Sequence, residues 1–384
     1  MKKIFLLFTL LIATRMWAQQ DLEVINIEHP ALQAYMADST YYYNDDIDVS
    51  VITKYADKNR YGTNLDRPQG KTITWAPEAS VSDIKEIRIT LSEHKDMSNA
   101  IICNTVENDV SSYTISNLFP NRTYYYKAEE FRYDGSVKQL TQGAFRTIGQ
   151  VRMMRVEGAH NVRDIGGWPT QFGVPIKYGI LYRSGHMDKV SPAGYHEFVE
   201  NMGVTAELDL RGLLRNEPHL KHSMLGDTVQ FMRIPADSYA LGSQREVYAR
   251  CLNWIIARMK EGRSVNWHCG VGCDRCGTLS FLIEGVLGVS EVDLCRDYEL
   301  SCFRGYKRPR SHVGFRKVLP FIKKQGPEDD LAQCFYNYWV DCGVSKENLE
   351  YLRETMLDMG KNPIPSTEGG SKEGKTNPST HSIE

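Results

Sequence analysis

The fifteen residues from Ser264 to Thr278 constrain the fold of this chain more than any other stretch. A short β-prone run, Val265 to Trp267, leads into His268-Cys269. Arg275 follows after five further residues, and an apolar helical run, Leu279 to Val289, comes directly after. This order predicts a strand, a tight loop and a helix N-terminus. Gly270 and Gly272 let the loop backbone curl so that successive N–H groups converge on one point, which makes a cup for an anion. The helix dipole adds positive potential there, and Arg275 offers a planar fork that matches two oxygens of a tetrahedral phosphate. The same field is expected to depress the Cys269 thiol to a thiolate. A thiolate beneath a bound phosphate is a nucleophile aimed at phosphorus. The phosphate contacts are expected from Gly270, Val271, Gly272, Cys273, Asp274 and Arg275, with Cys269 and Arg275 carrying the chemistry.

Two other readings of the loop stay open on spacing alone. Cys269, Cys273 and Cys276 have the spacing of a radical-enzyme iron–sulfur site, and a Cys-x-x-Cys pair can hold zinc. Neither gives a reason for His268, Gly272 or Arg275. A turn of inert buried thiols is the bland alternative. No metal or cofactor is expected.

At 384 residues the chain is long enough for two ordinary domains, and a net charge of −2 implies no bulk attraction to nucleic acid. Its nine cysteines are an odd number and, Cys103 aside, lie in the second half, which is not the pattern of a disulfide scaffold. Lys2-Lys3, the apolar run Ile4 to Ala13 and the small residue Ala18 have the layout of a secretory signal peptide over residues 1–19. The run is too short to span a bilayer comfortably and Arg15 interrupts it, so no stable membrane insertion is expected after cleavage. The product would be exported, to the periplasm or the medium. Residues 20–45 are expected to be a leader or linker.

From 46 to 149 the sequence reads as an all-β sandwich. Short alternating runs fall at Ile47–Thr53, Thr72–Trp75, Glu86–Leu91, Ala100–Thr105, Ser112–Ile115, Thr123–Phe131 and Gly143–Thr147, with turn residues between them. Leu118 to Tyr124 resembles the tyrosine corner of a fibronectin type III domain, and Trp75 stands where that fold buries an early-strand Trp. From 150 to 360 strands alternate with amphipathic helices, an α/β pattern expected to give a mostly parallel central sheet flanked by helices. Residues 361–384 are rich in Gly, Pro, Ser, Thr and Lys and are expected to be a disordered tail.

His-Cys-x-x-Gly-x-x-Arg, as it stands at His268 to Arg275, is the signature of the cysteine-dependent phosphatases. The wider chain resembles the bacterial tyrosine and lipid phosphatases of that class. Gly158 to Gly167, Tyr178 to Gly185, Leu208 to Arg211 with Glu217, Asp297-Tyr298 with Ser301, and Gly343 to Ser345 match segments of the family in the family's order. Two departures stand in the loop: Cys273 replaces the usual Lys and Cys276 the usual Thr. The first removes a cation from the phosphate site. The second removes a hydroxyl that normally stabilises the departing thiolate.

The resemblance implies phosphomonoester hydrolysis through a phosphocysteine, with a phosphorylated protein or a small phosphorylated compound as substrate. Protein phosphotyrosine is the main reading and inositol phosphate or phosphoinositide the alternative. A catalytically quiet phosphate-binding surface module is the rival from another class. The family's general acid is an Asp some thirty residues before the Cys. Asp237 lies 32 before Cys269, with Asp274 inside the loop as its rival and Asp209 as a third candidate better suited to holding Arg211. His268 is expected to support the loop from behind, and Arg163 and Asp164 to brace it. The segment Cys302 to Pro327 carries Arg304, Lys307, Arg308, Arg310, Arg316, Lys317, Lys323 and Lys324 without an acidic residue, a basic rim or a solvated helix pair.

Overall fold

The structure, a computed structural model, describes residues 22–39, 54–61, 64–76, 82–106, 110–212, 214, 216–304 and 310–358. The expected signal segment at 1–19, the strand expected at Ile47–Thr53 and the tail at 361–384 lie outside the described residues. The chain divides into two compact units.

The first unit comprises Met1–Ile25, Lys71–Thr114 and Asn121–Ile148. Its strands are β1 (Glu23–Asn26), β2 (Lys71–Thr74), β3 (Ile84–Ser92), β4 (Ile101–Val106), β5 (Ser112–Ile115), β6 (Thr123–Arg132) and β7 (Val137–Ile148). They form a five-stranded sheet in the order β1-β7-β6-β3-β4, and β2 pairs separately with β5. The β3–β4, β3–β6 and β6–β7 pairings are antiparallel. Side-chain alternation fixes the face that β6 buries: Tyr124, Ala128 and Glu130 point inward. Tyr124 stacks on Phe145 at a centroid distance of 5.5 Å.

The second unit comprises Asn26–Gly70, Ile115–Pro120 and Gly149–Glu384. Its strands are β8 (Met153–Met154), β9 (Val162–Asp164), β10 (Leu181–Ser184), β11 (Val204–Asp209), β12 (Gln230–Arg233) and β13 (Ser264–His268). The sheet order is β12-β11-β13-β10-β9-β8. From β12 to β10 the neighbours are parallel, whereas β9 and β8 extend the edge antiparallel. The sheet is therefore mixed: its four strands from β12 to β10 run parallel, in line with the mostly parallel expectation, and the β9–β8 edge runs antiparallel. Residues 155–161 alone connect β8 to β9, short of the dozen or so that a parallel crossover requires.

The expectation of a leader at 20–45 is corrected. Helix α1 (Pro30–Met36) opens with Pro at its first position, and His29 Nδ1 accepts the Ala31 N–H at 3.1 Å. It buries Ala31, Leu32 and Tyr35 in the core of the second unit, where the Tyr35 hydroxyl donates to Glu299 Oε2 at 2.5 Å. Two helices dominate that core: α2 (Arg245–Lys260) and α3 (Asp274–Val286), the latter buried from Cys276 onward. Helix α3 packs against α5 (Leu331–Asp341), with α4 (Glu291–Leu300) between them in sequence. A Cβ on Gly285 would come within 2.3 Å of Phe335, so a glycine is what lets the two helices approach. Trp339 Nε1 donates to the Leu282 carbonyl at 2.9 Å across the same contact.

Candidate active site

Strand β13 ends at His268 in the middle of the sheet, and the chain turns at once into the loop that precedes α3. Hydrogen bonds to successive carbonyls hold the loop from behind. The Gly270 carbonyl accepts from the His186 N–H at 3.5 Å, and that of Val271 accepts from Asn161 Nδ2 at 3.1 Å. The carbonyls of Gly272 and Cys273 both accept from one Arg183 Nη, at 2.9 and 3.2 Å. No described peptide bond is cis. Across a trans peptide the N–H points opposite to the preceding C=O, so the N–H groups of Val271, Gly272, Cys273 and Asp274 turn toward the front. That of Gly272 reaches Cys269 Sγ at 3.2 Å. These N–H groups lie at the N-terminus of a thirteen-residue helix.

The two glycines are not equivalent. Gly272 has φ +75°, and a Cβ there would lie 2.5 Å from the Ser184 carbonyl. At Gly270 the nearest atom to such a Cβ is Arg275 Nη at 3.8 Å. Only Gly272 is required by the backbone.

Cys269 is 3% exposed. Its thiol is held well below the ordinary cysteine value, first by a hydrogen bond from the Cys276 side chain, against the opposing effect of burial, and then by the charge of Arg275 and backbone N–H groups. Cys276, fully buried, is pushed well above its ordinary value by burial and by the neighbouring Cys269. It remains a thiol and a donor. The sulfur at 276 thus stands beside the nucleophile, at the position where the resemblance leads one to expect a hydroxyl. Cys273 is a buried thiol pushed up by its own burial. All three cysteines are free, and among the described residues no group of three or more His, Cys, Asp or Glu side chains is gathered as a metal site requires.

Arg275 forms a bidentate pair with Glu217, at 3.0 and 2.6 Å. Cys269, Arg275, Asp237, Asp274, Ser238 and Leu214 line a cavity of about 160 Å³. Asp237 is exposed, follows β12, and has its backbone fixed by Gln244 Oε1 on its N–H at 2.8 Å and by the Tyr248 hydroxyl on its carbonyl at 2.6 Å. Asp274 is occupied differently. Arg310 donates to both its oxygens at 2.7 Å, and the Tyr239 and Tyr298 hydroxyls bond Oδ1 at 2.5 and 3.2 Å. Burial alone would raise this carboxyl, but Arg310 and the tyrosines outweigh it and hold it below the ordinary range. Both of its oxygens are thereby taken by donors from other segments.

His268 lies behind the loop, its Nε2 2.8 Å from Glu207 Oε1 and its Nδ1 3.8 Å from Asp209 Oδ1. Burial disfavours the imidazolium, but the Glu207 hydrogen bond and the charges of Glu207 and Asp209 outweigh it and raise the ring above its ordinary value. Asp209 accepts from the Arg211 N–H and Nε, both at 2.9 Å. Arg163 pairs with Asp297 at 3.0 Å and orients Asn161, which in turn holds Val271. Asp164 does not reach the loop. It takes Arg152 at 3.1 Å and the N–H groups of Gly166 and Gly179, so it braces its own turn, a correction to its grouping with Arg163.

Sequence reasoning did not assign roles to Glu217, Arg183, Asp297, Asn161 or Tyr239. Asn161, Glu217, Arg183 and Asp297 stood inside the segments that carried the resemblance, which is the signal that marks them. The basic segment is partly committed: Arg310 to Asp274, and Lys323 to Glu291 at 2.6 Å. Lys307 and Arg308 lie outside the described residues. Among those described, no helix is long and apolar enough to cross a membrane.

Known proteins are similar to part of this chain. A Cupriavidus necator protein provisionally named a tyrosine-protein phosphatase is 26% identical, over 36% of this chain and 59% of its own length. The similarity therefore spans less than two thirds of that relative. The crystal structure of P. aeruginosa TpbA is 17% identical with a TM-score of 0.26, covering 48% of this chain and 90% of that one. The catalytic domain of the PP-IP phosphatase SIW14 from S. cerevisiae is 13% identical with a TM-score of 0.29, covering 46% and 94%. Residues 154–318, from β8 through the loop of Cys269 and Arg275 to the basic segment beyond α4, match the model of the Tyrosine phosphatase family.

Proposed function

We propose that the second unit hydrolyses phosphomonoesters through a phosphocysteine on Cys269 and that its main substrate class is protein phosphotyrosine. One observation carries this reading: the buried Cys269 thiol lines one cavity together with Arg275 and Asp237. The thiolate attacks phosphorus, the N–H groups of the cup and Arg275 take the equatorial oxygens, and Asp237 protonates the departing oxygen. Water then attacks phosphorus, giving its proton to the Asp237 carboxylate as the P–S bond breaks, and the Cys276 thiol stabilises the thiolate that returns on Cys269. The match of residues 154–318 supports the assignment.

Polyanionic inositol substrates are the weaker reading, because the loop position of the usual Lys is a buried thiol and Arg310 is neutralised by Asp274. A quiet binder has no use for an acidified thiol. The first unit is proposed as a fibronectin type III-like module, supported by its antiparallel sheet and buried Trp75 and Tyr124. Export is proposed from Lys2-Lys3 and the apolar run after them. The test is turnover on phosphotyrosyl peptides against inositol phosphates, with and without thiol reductant and with chelator. Peptide turnover that requires reductant and ignores chelator supports the reading; turnover abolished by chelator overturns it.

A further inference from the structure

Tyr239 has φ +62°. A bulky side chain in the left-handed region is strained and persists there only where its surroundings hold it. Those surroundings belong to the helix that starts at the phosphate cup. The Tyr239 N–H donates to Thr278 Oγ1 on α3 at 3.1 Å. Its hydroxyl donates to Asp274 Oδ1 at the first position of α3 at 2.5 Å, and lies 2.7 Å from the Tyr298 hydroxyl. Asp274 is itself fixed by Arg310. Tyr239 stands two residues after Asp237, whose carboxylate takes only the adjacent Ser238 N–H, at 2.8 Å, among the contacts described.

We infer that Tyr239 is a positioning residue that holds the Asp237 loop closed over Cys269, with its hydroxyl on Asp274 as the latch. The inference rests on the phosphatase reading for Asp237's role. The strain at Tyr239 opposes closure, and a hydrogen bond to a charged acceptor offsets it. Releasing the hydroxyl lets φ relax and the loop swing outward. Asp274 is then an anchor, which accounts for a carboxylate inside the loop whose oxygens are taken by Arg310 and two tyrosines.

Tyr239→Phe keeps the ring and removes the hydroxyl with its bonds to Asp274 and Tyr298. Amide hydrogen exchange over residues 237–241 is expected to quicken in this variant while the amides of α3 stay unchanged, a readout independent of activity. Asp274→Asn weakens the same bond from the other side and is expected to loosen the same residues. In turnover, Tyr239→Phe should cost roughly tenfold on a poor leaving group and less than about twofold on an activated aryl phosphate, as loss of acid placement does. In an Asp237→Asn background it should cost nothing further. Unchanged exchange at 237–241 in both variants, equal losses on both leaving groups, or losses that multiply with Asp237→Asn would each overturn the latch. If the unaltered protein turns over neither substrate, the phosphatase reading fails while the exchange result still decides the latch.

Discussion

Cys276, in the first turn of α3, neighbours Cys269 and is the largest single influence lowering its thiol. Cys276 also lies 3.6 Å from the Ser184 carbonyl and 3.9 Å from that of Trp267, so its position is set by β10 and β13 on either side. A sulfur in place of a hydroxyl therefore keeps the donor function, although an S–H is the weaker donor.

Removing that donor raises the nucleophile. A hydrogen bond to a charged group contributes about 1.5–3 kcal/mol, or roughly one to two pKa units for the thiolate. The rate of iodoacetamide alkylation of Cys269 against pH should shift upward by that amount in Cys276→Ala and stay near the original in Cys276→Ser. The Ala variant should also show a burst of product followed by slow turnover. An unmoved alkylation midpoint in Cys276→Ala would deny the sulfur this role.

Asp237→Asn should lower turnover about 10²–10⁴-fold on poor leaving groups, the usual contribution of a positioned general acid. Activated aryl phosphates, whose leaving oxygen needs no proton, should lose far less. The comparison is made by steady-state kinetics on both substrate types. Equal losses would place the acid elsewhere.

The His268–Glu207 pair links stability to pH. The folded-state imidazole lies above its ordinary value of 6.5, so the pair's contribution is fully present below 6.5 and is lost as pH rises through the raised folded value. Breaking a buried pair typically costs about 3–5 kcal/mol. Thermal melts should show Glu207→Gln furthest below the unaltered protein near pH ~6, with the gap narrowing in alkali as His268 loses its proton in the folded state. A gap of constant size across that range would mean that His268 does not change its protonation within it.

The elements that were legible in the sequence are those built from neighbouring residues. Strand β13, the loop and α3 follow one another without interruption, and period-two runs marked β2, β3 and β6. Helix α1 was not legible, because seven residues give too few apolar repeats to set it apart from a polar leader. The mixed sheet followed from a short connection that hydrophobic patterning does not register. Inside the site, the nucleophile and its arginine were set by local spacing. Their partners come from far along the chain: Glu217 reaches Arg275 across 58 residues and Arg310 reaches Asp274 across 36. No local pattern specifies such a pairing. Asp274 could look like an acid in the sequence because the charge that ionises it is contributed by another segment.

The most direct measurement of the central claim is a rapid acid quench of the protein during turnover of a phosphotyrosyl peptide, followed by mass spectrometry of the peptide containing Cys269. The account predicts a phosphoryl group on the Cys269 sulfur, absent in Cys269→Ser, with Cys273 and Cys276 unmodified. Full turnover by Cys269→Ser, or a phosphoryl group on any other residue, would contradict it.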